Sequence, residues 1–205
     1  MQLYLFKKDR RKYGCSKAFE KLGAKVTVVG KEDESTNLYL INHQSHLDIH
    51  LLQAISQRSL VWIAKKELLK IPFLGYMLKK FHMITVDRQN KIGLKKLVKD
   101  VGQRVGKGHV VALFPEGTRV KEQKLKKFKG GAKMIAQNLD LVVQPVVVLG
   151  SLQMLDSVKK KYTKVDPRVV FLPPVDRSNP NWYEKIQQDM QTVIDDECKH
   201  NNRCR

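Results

Sequence analysis

Short apolar runs alternate along this chain with longer segments of helical periodicity. The apolar runs predict strands, because half-buried and buried strands are short and bounded by turn residues. These strands are predicted at residues 24–30, 37–41, 60–64, 110–114 and 168–171, with two more beginning near Met83 and Val142. Helices are predicted at residues 47–57, 74–80, 91–107, 131–138 and 181–199. This alternation predicts an α/β sandwich with a central, largely parallel sheet flanked by helices.

The composition is that of a single domain. The chain has 205 residues, of which 42% are apolar, so it is long enough to bury a core. No linker rich in serine, glycine or proline divides it. We expect residues 1–20 to form a short basic N-terminal segment close to a membrane, and residues 21–205 to form the folded domain.

The formal net charge of +19 predicts attraction to an anionic partner, which includes nucleic acid, an acidic membrane surface and phosphorylated ligands. Lysines concentrate at residues 121–133 and 159–164. The sequence contains no zinc finger, RNP pattern or basic-zipper register. We therefore expect an anionic membrane surface as a partner and no nucleic acid.

The apolar runs are all shorter than the roughly 18 residues that span a bilayer. Residues 1–6 form a short apolar run whose charges follow it, which is the wrong order for a secretory signal. We expect a peripheral or monotopic protein on the cytoplasmic face of a membrane, without a transmembrane helix. Cys15, Cys198 and Cys204 are too few and too scattered for a disulfide framework or a zinc site, and they indicate a reducing compartment.

The motif NHQSHLD at residues 42–48 places a histidine and an aspartate five positions apart, directly behind a predicted strand. Within one helix His43 and Asp48 would diverge by about 140°, given about 100° per residue. If the helix begins at Ser45 or His46, however, Asp48 in its first turn can reach back to one imidazole nitrogen. The other nitrogen is then free to accept a proton, as in a catalytic base with an orienting carboxylate.

Two other interpretations of this motif are open. His43 and Asp48 form a hydrogen-bonded helix start without chemistry in the simplest one. In the other, His43, His46, Asp48 and His50 supply ligands for a metal, although the spacing is looser than in metallohydrolases and no second cluster follows. We expect no metal.

A second motif, FPEGTR at residues 114–119, follows another apolar run. Gly117 lets backbone N–H groups approach a ligand, Thr118 adds a hydroxyl, and Arg119 offers a planar fork matched to phosphate oxygens. Arg88 also ends a predicted strand. Taken separately, Arg88 and Arg119 are more typical of surface ion pairs; together the residues indicate a cradle for a phosphate or polar head group.

Taken in order, four segments of the chain resemble the sequence blocks of the glycerolipid acyltransferases that act on 1-acyl-glycerol-3-phosphate. They are NHQSHLD, the strand end MITVDR, FPEGTR and the segment VQPVV at residues 143–147. The similarity covers roughly residues 20–175. It implies that His43 removes a proton from the acceptor hydroxyl and that Asp48 orients His43. It also implies that the glycerol phosphate is held by Arg88, Glu116, Gly117 and Arg119, with Thr118 as an additional donor, and that Pro145 shapes the site.

The resemblance implies transfer of a fatty acyl group to the sn-2 hydroxyl of lysophosphatidic acid, which yields phosphatidic acid for phospholipid synthesis. The donor is either acyl-CoA or acyl carrier protein, and no metal or prosthetic group is required. Acylation of glycerol 3-phosphate or another lysophospholipid is an alternative, as is a basic module that binds anionic surfaces without catalysis. Bacterial members carry a longer apolar N-terminal region, so we expect this chain either to begin late or to depend on electrostatics at the membrane.

Overall fold

The computed structural model describes residues 10–80, 83–87, 91–156 and 161–201. The helices are α1 (Arg10–Lys21), α2 (Leu47–Ile55), α3 (Pro72–Lys80), α4 (Lys91–Val105), α5 (Gly130–Asn138), α6 (Ser151–Met154) and α7 (Trp182–Asn201), with a 3₁₀ turn at Lys66–Lys70. The strands are β1 (Thr27–Val29), β2 (Leu38–Ile41), β3 (Leu60–Lys65), β4 (Ile84–Val86), β5 (Val110–Leu113), β6 (Val143–Leu149), β7 (Leu155–Asp156), β8 (Lys161–Tyr162) and β9 (Arg168–Phe171).

Seven of the strands form one mixed sheet in the order β1-β9-β6-β2-β5-β3-β4. Its neighbouring strands pair in parallel except β6 and β9, which are antiparallel. The two shortest strands, β7 and β8, form a separate hairpin. The predicted α/β sandwich with a largely parallel sheet is confirmed.

Side chains along the central strands point alternately to the two sides of the sheet, and this divides the core into two layers. In β2, Leu38 and Leu40 face one side of the sheet, while Tyr39 and Ile41 face the other, as the two-residue period of a strand requires. The first side packs against α4, α5 and α7. The second side packs against α1 and α2. All four β2 side chains are fully buried, which explains why this strand is apolar throughout.

The chain path brings two distant loops together. Strand β5 inserts between β2 and β3 and pairs in parallel with both. Parallel neighbours end at the same edge of a sheet, so the loops that follow β2 and β5 are adjacent. These loops contain the NHQSHLD and FPEGTR motifs.

Helix α1 falls in the segment expected to be separate from the domain. It packs on α2, with Phe19 buried in the core and the Ser16 hydroxyl donating to the Ala54 carbonyl over 3.1 Å. Its sequence is dominated by charged residues, so few apolar positions mark its buried face. The boundary predicted after residue 20 stays a prediction, although α1 extends across it to Lys21 and packs on the domain.

Two further observations bear on the expectations for compartment and membrane. Cys15 is a free thiol, and the reducing compartment stays a prediction. Among the residues that the structure describes, every helix is too short or too polar to cross a bilayer.

Candidate active site

The loop between β2 and α2 is tied to the neighbouring strand at its first residue. The Asn42 side-chain amide donates to the Val148 carbonyl over 2.9 Å, and the Val148 N–H donates to Asn42 Oδ1 over 2.7 Å. Asn42 is 1% exposed, so both bonds are made inside the protein. The asparagine therefore acts as an extension of the β2–β6 ladder and fixes where the loop leaves the sheet.

His43 and Asp48 meet at the start of α2. The helix begins at Leu47 with His46 at its N-cap, so His43 precedes the helix and Asp48 lies in its first turn. His43 Nδ1 donates to Asp48 Oδ2 over 2.9 Å. The predicted contact across five residues is confirmed. With Nδ1 engaged, Nε2 is the ring nitrogen left to accept a proton.

A single carboxylate oxygen organises the whole loop. Asp48 Oδ2 accepts hydrogen bonds from the backbone N–H of Gln44 at 2.8 Å and of Ser45 at 2.9 Å, in addition to His43. Asp48 is fully buried. Its other oxygen, Oδ1, has no hydrogen-bond partner among the residues that the structure describes. Asp48 thus shapes the loop and orients the imidazole with the same atom.

Aromatic rings support one face of the His43 imidazole. The Phe114 ring stacks on it with centroids 3.7 Å apart and planes inclined by 13°. Trp62 stacks in turn on Phe114, at 5.4 Å and 25°. Because the histidine side chain is 14% exposed, one part of the ring still reaches the surface. The motifs did not predict this stack, although strand alternation places Phe114 on the α2 side of the sheet with Trp62.

Glu116 lies beneath the loop and not in an open cradle. Its Oε1 accepts the backbone N–H of His43 at 3.0 Å, and its Oε2 accepts the backbone N–H of Lys126 at 2.9 Å. The residue is 2% exposed. Both oxygens therefore hold protein backbone in this structure, and the contact that Glu116 makes is with the candidate base. Its expected role in holding substrate stays a prediction.

The backbone of His43 is held on both sides by the loop after β5. While its N–H donates to Glu116, its carbonyl accepts the Val120 N–H over 2.7 Å. The loop can turn back in this way because Gly117 adopts a φ of 72°, a conformation that favours glycine. The Gly117 N–H closes the turn onto the Phe114 carbonyl at 3.0 Å. Gly117 therefore positions the loop that positions His43.

Removing the Glu116 carboxylate is expected to destabilise the protein and to impair catalysis. Glu116→Ala leaves two backbone N–H groups without their acceptor, so we expect a loss of about 2 to 4 kcal/mol in the free energy of unfolding. Chemical denaturation measures this loss, with Glu34→Gln at an exposed position as the control. Equal stability of Glu116→Ala and wild type would contradict the bracing role.

The pH dependence of stability gives a separate prediction for this group. Burial raises the pKa of Glu116 above 4.5, while the N–H groups of His43 and Lys126 oppose the shift. Its contribution to stability is then fully present below pH 4.5 and is lost as the pH rises through the folded-state pKa. The stability of wild type relative to Glu116→Gln is therefore expected to decrease on going from acid to neutral pH. Denaturation of both proteins across this interval measures the difference.

Arg119 and Thr118 are exposed on the loop that follows β5. Partial burial of the His46 ring lowers its pKa, although the residue as a whole is exposed, and the positive charge of Arg119 lowers it further. Arg119 precedes Val120, whose N–H donates to the His43 carbonyl, so the backbone at Arg119 lies beside the NHQSHLD loop. Arg88 lies outside the described residues.

Two remaining sequence expectations concern proline and metal. Pro145 lies within β6, paired with Leu40, and its carbonyl accepts the Leu172 N–H over 3.0 Å. It belongs to the sheet that supports the site and not to the loops at the edge. Within the described part of the chain, no three His, Cys, Asp or Glu side chains are grouped as a metal site would require.

The sequence model of the Acyltransferase family matches residues 25–149, which is more than half of the chain. The chain belongs to the Acyltransferase family. The match includes β2, the NHQSHLD loop, β5, the FPEGTR loop and β6, so the geometry described above belongs to the part that defines the family. The protein is therefore an acyltransferase.

Three relatives illustrate how far the similarity extends, and each is called a 1-acyl-sn-glycerol-3-phosphate acyltransferase. The protein of Helicobacter pylori is 39% identical over 86% of this chain and 76% of its own length. The Pseudomonas aeruginosa protein is 35% identical over 60% of this chain, and the Cocos nucifera protein is 34% identical over 63%. This chain spans 49% and 43% of their respective lengths.

A solved structure supports the fold. The 1-acyl-sn-glycerophosphate acyltransferase PlsC from Thermotoga maritima superposes with a TM-score of 0.76, covering 93% of this chain and 79% of its own. The two sequences are 23% identical, so the likeness shows a shared fold.

Proposed function

We propose that this acyltransferase moves a fatty acyl group to the sn-2 hydroxyl of 1-acyl-glycerol-3-phosphate and so produces phosphatidic acid for phospholipid synthesis. The observation that carries the proposal is the contact between His43 and the buried Asp48, held by the FPEGTR loop at one edge of the sheet. The names of the curated relatives give the same acceptor. The proposed donor is a fatty acyl thioester, either acyl-CoA or acyl carrier protein.

The proposed reaction uses the free nitrogen of His43. Nε2 takes the proton from the acceptor hydroxyl as its oxygen attacks the thioester carbonyl carbon, and Asp48 stabilises the imidazolium that forms. Collapse of the tetrahedral intermediate breaks the carbon–sulfur bond. The proton on Nε2 then passes to the departing thiolate, so an ester and a free thiol are released and the histidine is restored. This sequence of steps requires no metal or prosthetic group.

The charges around the site match the proposed substrates. Arg119 and Thr118 lie exposed on the loop that holds His43, where a guanidinium and a hydroxyl can bind the phosphate of the acceptor. Exposed lysines follow on the same loop: Lys121, Lys124, Lys126, Lys127 and Lys129. Their charge favours the phosphates of acyl-CoA or the acidic surface of a carrier protein. We also place the protein at an anionic membrane surface on the cytoplasmic side, without a role for nucleic acid.

An acyl-transfer assay with labelled donor tests the proposal. The purified protein is given a panel of acceptors, consisting of lysophosphatidic acid, glycerol 3-phosphate and lysophospholipids with other head groups. Acyl-CoA and acyl carrier protein are compared as donors. We expect labelled phosphatidic acid from lysophosphatidic acid. Transfer only to a different acceptor would show that lysophosphatidic acid is not the substrate. Absence of transfer with either donor would indicate a module that binds anionic surfaces without catalysis.

Arg119→Lys is expected to raise the KM for lysophosphatidic acid much more than the KM for the acyl donor. The substitution keeps the charge but removes the planar fork that binds two phosphate oxygens. A titration of each substrate separates the two effects, and Arg104→Lys, at the C-terminal end of α4, is the matched control. An identical acceptor titration for Arg119→Lys and wild type would remove Arg119 from the cradle.

A further inference from the structure

The two most exposed large apolar residues of the described chain lie close together. Ile71 is 50% exposed and Tyr76 is 59% exposed, and both belong to the connection between β3 and β4. On α3, Tyr76 shares the outward face with Lys79 and Lys80, whereas Leu78 is buried. This helix therefore exposes to solvent a face that combines an aromatic ring with ammonium groups.

Lysines surround the apolar pair. Residues 65–80 contain five lysines and one glutamate, so the segment carries a formal charge of five minus one, or +4. Lys80 Nζ lies 5.4 Å from the centroid of the Tyr76 ring, so this cation is already close to the aromatic surface. We call this surface the basic–apolar patch; it consists of Lys65, Lys66, Lys70, Ile71, Tyr76, Lys79 and Lys80, all of which are exposed.

The patch begins at the edge of the sheet that carries His43. Lys65 is the last residue of β3, which runs parallel to β5, so the 3₁₀ turn starts beside the loops of the site. Helix α3 is held tightly against that turn. A Cβ atom on Gly75 would come within 2.4 Å of the Leu69 carbonyl oxygen, which explains the glycine there. The patch is therefore a surface fixed to the sheet and adjacent to the site.

We infer that the basic–apolar patch docks on the surface of a bilayer that contains anionic lipid. Lysines near such a surface are attracted to its negative potential, and their stems can lie along apolar material while the ammonium groups stay in water. A tyrosine ring suits the boundary between head groups and acyl chains. Helix α3 has nine residues, which is too short to cross a bilayer, so it lies on the surface.

The apolar pair favours a bilayer over an acidic protein as the partner. An acidic carrier protein would match the lysines, but burying Ile71 and Tyr76 against it would need complementary apolar recesses. A bilayer accepts protruding apolar side chains at any point of its surface. The benefit to turnover rests on the proposed function, because docking here would turn the edge with His43 towards the membrane in which a lysolipid acceptor lies.

Vesicle sedimentation of the full chain tests the docking without relying on catalysis. The vesicles contain phosphatidylcholine alone or phosphatidylcholine with phosphatidylglycerol. We expect binding only with the anionic lipid, and a decrease of about fivefold for each lysine neutralised in Lys79→Gln/Lys80→Gln. The control Lys99→Gln/Lys107→Gln removes the same charge elsewhere, and its binding to anionic vesicles should decrease much less. Ile71→Ser/Tyr76→Ser should weaken binding about tenfold or more, whereas Val28→Ser, on the strand at the opposite end of the sheet, should not.

Turnover with acceptor embedded in anionic vesicles should decrease in both patch variants, while turnover with a water-soluble short-chain acceptor should not change. Equal vesicle binding by Ile71→Ser/Tyr76→Ser and Val28→Ser would overturn the proposal. So would equal losses in the two lysine pairs, which would indicate a response to net charge alone. Normal vesicle binding, with turnover lost only when acyl carrier protein is the donor, would assign the patch to that protein instead. Absence of acyl transfer from every protein would refute the proposed function and leave the binding results intact.

Discussion

His43→Ala is expected to lower kcat by a factor of about 10² to 10⁴, which is the usual contribution of a general base. The structure supports this expectation because His43 Nδ1 is engaged by Asp48 at 2.9 Å and Nε2 is left to accept the substrate proton. The loss should appear mainly in kcat, since the imidazole acts on the reacting hydroxyl. Steady-state kinetics with both substrates varied measure it.

The neighbouring histidine provides the control for this prediction. His46 lies three residues further in the same motif, occupies the N-cap position of α2 without a side-chain capping bond, and is exposed. His46→Ala should therefore keep a kcat close to that of wild type. Circular dichroism and thermal unfolding establish that both variants are folded. A kcat within a few-fold of wild type in folded His43→Ala would exclude this residue as the base.

Replacing Asp48 is expected to separate the charge of the orienting carboxylate from its hydrogen bonds. Two backbone N–H groups, from Gln44 and Ser45, point at Oδ2 together with His43 Nδ1. In Asp48→Asn these donors favour the amide oxygen at that position, so the loop and the histidine tautomer are kept. Only the negative charge that stabilises the imidazolium is lost. We expect kcat to decrease by about 10² to 10³, less than the roughly 10⁴ lost on the same replacement in a Ser-His-Asp triad, where the histidine tautomer changes as well.

Asp48→Ala should be more damaging than Asp48→Asn, because it removes the acceptor as well as the charge. Leaving the Gln44 and Ser45 N–H groups unpaired should cost about 2 kcal/mol or more of stability. The comparison of kcat and of denaturation midpoints for the two variants tests this order. If Asp48→Asn has full activity, the aspartate serves only as a helix-start residue.

The local pattern of apolar and polar residues was sufficient to predict most of the strands and helices. The strand predicted at residues 168–171 coincides with β9, and the helix predicted at residues 91–107 is two residues longer than α4. These elements are marked by apolar periodicity, which a short window of sequence contains. Helix α1 was not predicted because its buried face offers few apolar residues. The hairpin of β7 and β8 has two residues in each strand, too few for alternation to be recognised.

The candidate site was predicted only in part. His43 and Asp48 are close in sequence, so the start of a helix was enough to bring them together. Glu116 was expected to hold substrate, but its oxygens bind the backbone of His43 and Lys126, a contact that joins residues 73 positions apart in the first case. The stacking of Phe114 on His43 is also a contact between the loops that follow two neighbouring strands. Glu116 and Phe114 lie in the FPEGTR motif and His43 lies in the NHQSHLD motif, so neither motif alone predicts these contacts.

The sequence by itself determined the central elements, the pairing of His43 with Asp48 and the four blocks that mark the family. These properties depend on residue type and on short spacings. The tertiary structure decided that β5 lies next to β2, and through this placement it brought Glu116, Val120 and Phe114 onto the candidate base. The physical reason is that periodicity reports which face of an element is buried, but not which distant element covers it. Only the order of strands in the folded sheet settles that choice.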